Sequence, residues 1–250
     1  MKKNETLGFR MKQYEECYNV RMPRRFPMIV RLDGRAFHSW TRRVNCAKPF
    51  DEALMNLMAQ TAKYLCENIE DCALAYTQSD EISLLIRDDK SQFSTPWFDK
   101  RLQKVASLSA SMATYFFNAE NPYEKKLPAF FDARAFILPP EEIRPYFIWR
   151  QNDASKNSLS MLAQSLYAHT ELIGKKREEL MDLCMAKGMN WNDLSIPKKR
   201  GYAVYRTPVV VNGKMGPVTR MKFVIDSQMP IFSADDCTIF EECLVSTEDR

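Results

Sequence analysis

Ala73-Leu74-Ala75-Tyr76-Thr77-Gln78-Ser79-Asp80-Glu81-Ile82-Ser83-Leu84-Leu85-Ile86 holds two short apolar runs on either side of a polar stretch. The runs are Ala73 to Tyr76 and Ile82 to Ile86, so the segment predicts a β-hairpin with residues 77–81 at or near its turn. Upstream, Met28-Ile29-Val30-Arg31-Leu32-Asp33 is short, apolar and rich in β-branched residues, and it ends at Asp33-Gly34; it predicts a strand. Between the two, Leu54, Leu57, Met58, Thr61, Ala62 and Leu65 recur at helical spacing from Asp51 to about Asn68, the mark of an amphipathic helix. A helix over 97–119, then Pro122, then a strand near Ala133 to Leu138 complete the pattern. The order β-α-β-β-α-β predicts an α+β fold, a ferredoxin-like split-βαβ antiparallel sheet with flanking helices.

Working outward, a polar, helix-compatible opening runs to about Val20, and Pro23 and Pro27 bracket a basic turn. From about Pro140 the pattern predicts a long helical region with Pro145 as a break. Asn157 to Tyr167 and Glu171 to Gly188 belong to it, and Gly188 reads as a stop. Strands follow at Tyr202 to Val211 and Met221 to Ile225, joined by a turn at Asn212-Gly213-Lys214-Met215-Gly216. No repeat, low-complexity tract or long linker divides the 250 residues. The expectation is one domain, with a core over about 5–140 and a helical and hairpin part over about 141–250.

Composition narrows the classes. Hydrophobic residues at 45% and charged residues at 27% are ordinary for a globular chain. No apolar run approaches the roughly 18 residues of a membrane span, and the opening residues lack the apolar stretch of a signal peptide. The 7 cysteines form no CxxC pair, which argues against a disulfide framework or zinc site and points to a reducing cytosol. A net charge of +4 permits a nucleic-acid partner without requiring one. With 7 glycines and neither GxGxxG nor GxxxxGK[ST], Rossmann and P-loop chemistry lose most of their ground.

Two acidic sites stand out. Asp33 ends the first strand and Asp80-Glu81 sit in the hairpin, and in a split-βαβ sheet that strand lies beside the hairpin. The carboxylates then converge on one edge, where hard divalent ions take oxygen ligands from carboxylates, water and phosphate. Gly34 lets the backbone approach such an ion. A plain Asp-Gly turn and a solvated hairpin tip remain the competing reading. Arg31, Lys48 and Ser79 stand ready to meet triphosphate oxygens. Lys198-Lys199-Arg200 is a short basic cluster near Tyr202 and Tyr205, compatible with an RNA backbone. The segment from Arg150 to Ser158 is dense in polar groups, which suits either a helix cap or an anion site.

Five stretches, taken together, are recognisable: Arg31 to His38, Lys48-Pro49-Phe50-Asp51, Ala75 to Glu81, Phe131-Asp132-Ala133-Arg134, and Trp149-Arg150-Gln151-Asn152-Asp153. In order and spacing they resemble the tRNA-histidine guanylyltransferase superfamily. The resemblance implies a polymerase-palm-like core with two Mg2+ ions that adds nucleotides to the 5′ end of a tRNA, in the 3′-to-5′ direction. ATP or GTP activates the 5′ end, and NTPs are the substrates. Asp33, Gly34 and Asp80 match the metal ligands, and Asp33, Asp80 and Glu81 the catalytic acids. Arg31, Gly34, Arg35, Ala36, Phe37, His38, Lys48, Ser79 and Asp80 match the nucleotide site. Arg134, Arg150, Asn152, Asp153 and Asn157 fall on the RNA side with Lys198, Lys199 and Arg200. A homotetramer in the cytoplasm, with no membrane partner, is also implied.

There is one departure. Where the eukaryotic enzymes continue with His-Ile-Asn-Asn-Leu-Tyr-Asn, this chain has Ser155-Lys156-Asn157-Ser158-Leu159-Ser160-Met161. That favours the guanylyltransferase-like branch, which repairs truncated tRNAs by templated addition, over obligatory addition of one G to tRNA-His. A palm-like nucleotidyl cyclase is the second alternative. A non-catalytic RRM-type module is disfavoured, because acidic residues occupy the hairpin where such a module needs aromatics.

Overall fold

The computed structural model describes residues 6–90, 93–213 and 216–244. In chain order the elements are α1 (Leu7–Glu16), β1 (Met28–Gly34), α2 (Phe37–Arg43), α3 (Glu52–Asn68), β2 (Cys72–Gln78), β3 (Glu81–Ile86), α4 (Leu102–Ala119) and β4 (Phe131–Ile137). Then come α5 (Ile143–Leu166), α6 (His169–Leu172), α7 (Arg177–Ala186), α8 (Ile196–Arg200), β5 (Tyr202–Gly213), β6 (Gly216–Asp226) and α9 (Ile239–Leu244). The strands form a six-stranded sheet in the order β4-β1-β3-β2-β5-β6, every pairing antiparallel. The first four positions are the expected split-βαβ arrangement. The C-terminal hairpin lengthens the same sheet through β2 rather than standing apart from it.

Strand alternation sorts the side chains onto two faces. Val30, Leu32, Ala75, Ile82 and Leu84 face a core shared with α3 and α4, where Leu65, Val105 and Phe117 are buried. Ile29, Leu74, Tyr76 and Leu85 face the other way, onto Tyr146 and Phe147 of α5 and Phe240 of α9. With both faces covered, β2 and β3 are buried almost throughout, and this is why they read in the sequence as continuous apolar runs. Asp51 caps α3, its Oδ1 accepting the Leu54 N–H at 2.9 Å.

The structure departs from the sequence pattern in four places. Pro145 does not break a helix. It is the third residue of α5, in the first turn, where a missing N–H costs no intrahelical bond. The stretch from Glu171 to Gly188 is not continuous either: α6 and α7 are separate, with Gly174 between them at φ +76°. Gly188 does end α7, in a left-handed conformation, with its N–H on Met185 O and the Met189 N–H on Cys184 O. Third, the aromatic run at Phe37 and Trp40 is a short helix, α2, with both rings buried. Fourth, the helix expected over 97–119 begins only at Leu102, because Phe98, Asp99 and Lys100 take positive φ in a separate turn before it. Of the turn expected at residues 212–216, Lys214 and Met215 lie outside the described residues.

A buried ion pair closes the sheet end remote from the hairpin turn. Lys100 Nζ donates to Asp88 Oδ1 at 2.6 Å, Phe26 O at 2.6 Å and Pro23 O at 3.0 Å, and both charged side chains are buried. Lys100→Ala strands the Asp88 carboxylate without its cation. We expect a loss of about 3–5 kcal/mol in unfolding free energy, read as a lower urea midpoint at unchanged slope.

Candidate functional site

The end of β1 and the hairpin turn are held together by backbone. The Gly34 N–H donates to Asp80 O at 3.0 Å, and Asp33 lies directly opposite Glu81 in the β1–β3 register. Asp33, Gly34 and Asp80 therefore converge, as the sequence reading expects. Ser79 takes a left-handed conformation at φ 51°, and its Oγ donates to Asp80 Oδ1 at 3.1 Å. Burial first, and the negative charge of Asp33 second, hold the Asp80 carboxyl above the usual carboxylate range. Neither aspartate has an ion-pair partner among the described residues. Two adjacent carboxylates left uncompensated are a site shaped for a cation.

That donor set suits a hard divalent ion. Among the described residues no three or more His, Cys, Asp or Glu side chains cluster as metal ligands. An ion here would find two carboxylates and would have to complete its shell from backbone, water or phosphate, as Mg2+ does. Gly34 is needed for close approach: a Cβ there would lie 2.3 Å from the Phe37 ring.

Glu81 has a different fate. Arg150 grips it in a bidentate pair, Nε to Oε1 and a terminal nitrogen (Nη2) to Oε2, both at 2.7 Å and both buried. The same guanidinium reaches Asp153 at 3.1 Å and stacks on Trp149 at 4.4 Å. Glu81, expected among the catalytic acids, is thus taken up in an internal ion pair, and Arg150, expected on the RNA side, is buried between α5 and β3.

Beside Asp80 opens a cavity of about 460 Å3, within the range of small-molecule sites. Its walls are α2, residues 46–55, one face of α5, and residues 197–201. His38, Lys48 and Ser79, expected at a nucleotide site, line it, and so does Phe37, which belongs to an aromatic cluster with Trp40, Phe117 and Phe131. Asn157, Lys198, Lys199 and Arg200, expected on the RNA side, line the same cavity. Lys198 pairs with Glu52 at 2.6 Å and Lys199 donates to Asn192 O at 2.6 Å. The buried Arg200 Nε has no partner. Arg31 Nε is also buried without one, while Arg35, Arg134 and Asn152 are exposed and Ala36 is the left-handed residue that starts α2.

Residues 8–139 match the profile of the family described as tRNAHis guanylyltransferase, Thg1. The chain belongs to the tRNAHis guanylyltransferase family. Its members are nucleotidyltransferases. A probable tRNA(His) guanylyltransferase of Dictyostelium discoideum is 28% identical over 212 residues, 78% of this chain and 81% of that protein. A bacterial Thg1-like protein solved in complex with ATP is 41% identical, with a TM-score of 0.87 over 96% of this chain and all of that one. A bacterial Thg1-like protein solved in complex with GTP is 40% identical over 96% of this chain and 100% of that one, with a TM-score of 0.83. The palm-like antiparallel sheet expected from the family is the sheet observed here.

Several cavity residues escape motif reading. Ala154, Ser158, Met161 and Ser165 line it from α5 at helical spacing, a stripe that reads as core packing in sequence. Two hydroxyls pin the basic wall: Tyr76 donates to Arg200 O at 2.7 Å, and Ser158 donates to Lys198 O at 2.6 Å while accepting from Trp191 Nε1 at 3.0 Å. Asp51 is held by the Ala47 and Leu54 N–H groups and the Tyr123 hydroxyl. Its signal was legible, since it directly precedes a periodic helix.

The carboxylate pair makes a stability prediction. In metal-free protein, Asp80→Asn removes a like-charge neighbour of Asp33. It should raise the thermal midpoint by roughly 2–4 °C, the size of about 1 kcal/mol in a chain of this length. Added Mg2+ should stabilise the parent and leave the variant nearly unmoved.

Proposed function

We propose that the chain extends the 5′ end of truncated tRNA in the 3′-to-5′ direction, by template, after ATP or GTP has activated that end. The observation that carries this reading is the junction of the uncompensated Asp33–Asp80 pair with a nucleotide-sized cavity walled by Lys48 and Arg200. A polyphosphate fits such a junction: its cationic end neutralises charge, and its acidic end accepts the divalent ions that accompany nucleotides. ATP and GTP are bound by the bacterial Thg1-like proteins that this chain resembles over nearly its whole length.

In the activation step a 5′-phosphate oxygen of the RNA attacks the α-phosphorus of ATP, and pyrophosphate leaves. In the transfer step the 3′-hydroxyl of the incoming NTP attacks the activated 5′ phosphorus, and the nucleoside monophosphate leaves. Asp33, the Gly34 carbonyl and Asp80 would hold Mg2+, which when bound neutralises phosphate charge and lowers the cost of both displacements. Lys48 and Arg200 screen the triphosphate from the cavity walls, and Ser79 and the backbone at Gly34 keep Asp80 aimed at it. Little covalent work falls to the protein, and positioning and charge do most of the rest. Templating is supported by Ser155 and Ser160, which stand where the eukaryotic enzymes carry His and Tyr, so a segment tied to addition of one fixed nucleotide is missing its two ring side chains. We further propose one catalytic unit spanning the chain, assembled as a homotetramer in the cytoplasm.

Two experiments test this. Asp33→Ala and Asp80→Ala should each remove detectable nucleotide addition to a 5′-triphosphorylated, truncated tRNA while circular dichroism stays native; addition near the parent rate by either would sink the metal-site reading. The second test varies the RNA nucleotide opposite the gap and sequences the added base. The added base should follow the template through all four nucleotides. Addition of G whatever the template would move the assignment to a tRNA-His enzyme.

A further inference from the structure

We propose that the outer face of Trp149 is a stacking platform for an unpaired nucleobase of the RNA being extended. This rests on the function proposed above and assigns a residue to its RNA-facing side.

The chain has 4 tryptophans. Trp40, Trp97 and Trp191 are 5%, 6% and 8% exposed, whereas Trp149 is 54% exposed. An indole on the solvent-facing stripe of α5 calls for an explanation, since its neighbours there are polar or small, such as Asn152 and Lys156. Its inner face is accounted for: the Arg150 guanidinium lies 4.4 Å from the ring centre and the Tyr146 ring meets it edge-on at 5.9 Å. Arg150 is in turn fixed by Glu81, and Tyr146 by its hydroxyl bond to Ser83 at 3.0 Å. The indole is thus held flat and rigid at little further entropic cost, with its second face free. A cation beneath one face of an aromatic ring and an open face above it make a platform for a base, because every base has a π-face.

The surroundings favour RNA over another apolar surface. Trp149 sits one ion pair from the acidic site, since its partner Arg150 holds Glu81 and Glu81 lies opposite Asp33. On the neighbouring strands Arg31 and Arg134 face each other across the β1–β4 pairing. Arg31 Nε has no partner, and Arg134 meets Asp132 only at 4.0 Å with both side chains exposed. Lys156 follows Trp149 by two helical turns on the same flank of α5 and is exposed. The carboxylates near this flank are Asp132, Asp33 opposite it in the β1–β4 register, Glu81 and Asp153, and Arg150 holds the last two. Arg31, Arg134 and Lys156 are the groups that suit a phosphate backbone with a base laid on the indole.

The competing account is that Trp149 merely roofs the Arg150–Glu81 pair. Two variants separate the two. Trp149→Phe keeps an aromatic face, and Trp149→Leu keeps an apolar roof without one. Titration of truncated tRNA should quench the tryptophan emission of the parent, and GTP alone should not. The quench should be absent in Trp149→Phe, whose remaining tryptophans are buried. RNA affinity should stay within about twofold of the parent in Trp149→Phe. In Trp149→Leu it should fall about tenfold, about 1.4 kcal/mol, with GTP affinity unchanged. An RNA quench that persists in Trp149→Phe, or a parent-like RNA affinity in Trp149→Leu, overturns the proposal. So does a change of sedimentation in Trp149→Leu without RNA, since a second copy of the chain would then be the occupant. Should Trp149→Leu fail to fold, the quench in the parent and its loss in Trp149→Phe decide the matter alone. A parent that binds RNA with the quench and never extends it would remove the proposed function and leave the platform standing.

Discussion

The bidentate pair between Arg150 and Glu81 is the contact on which the site's geometry depends. It ties the middle of α5 to the first residue of β3, beside the hairpin turn. Both groups are buried, so neither tolerates the loss of the other, and burial of such a pair is sustained only by good geometry and full hydrogen bonding. Burial alone would lower the basicity of Arg150; the bond to Glu81 and its charge reverse that and raise it. With α5 fixed at this point, the next turns of the same helix carry Ala154, Asn157, Ser158 and Met161 into the wall of the cavity. The hairpin turn is fixed at the same time, and with it Asp80.

Adjacent carboxylates in this chain have opposite fates, and strand geometry explains why. Glu81 is the first residue of β3 and points to the face that α5 covers, where a cation waits for it. Asp80 lies one residue earlier, in the turn, where its carboxylate meets the Ser79 hydroxyl and the like charges of Asp33 and Glu81. One charge is neutralised within the protein and the other has no cation among the described residues. Retaining an uncompensated pair costs stability, a common feature of binding sites that are completed by their ligand.

Much of this fold is visible in the sequence because burial on two faces leaves an unmistakable mark. β2 and β3 are apolar nearly throughout, α3 repeats on one face, and their order specifies the sheet. The features that escape are those whose cause is distant in the chain. Arg150 and Glu81 are 69 residues apart, and no spacing rule joins them. The Lys100–Asp88 pair is likewise invisible, since a lysine near the start of an expected helix reads as solvated until the chain closes around it. Pro145 misleads for a local reason: its effect depends on whether it falls inside a helix or in its first turn, and the start of α5 has no side-chain cap to mark it. The motif residues Asp33, Gly34, Asp80 and Lys48 were legible by resemblance, while the cavity's α5 wall was hidden within a helix of mixed faces.

The basic wall of the cavity shows how a mobile kind of residue is made part of a site. Lysine and arginine side chains near a turn ordinarily wander, and their charge is dispersed in solvent. Here the backbone that carries them is anchored from below. Tyr76, buried on β2, bonds the carbonyl of Arg200, and Ser158 on α5 bonds the carbonyl of Lys198. Gly201 completes the fit, because at φ +81° any Cβ would strike Thr77 O at 2.1 Å. One wall thus rests on the same strand that leads into the hairpin, and on the same helix that Arg150 clamps. The acidic pair and the cationic wall are consequently fixed relative to each other through β2 and α5, the two elements that carry their anchors.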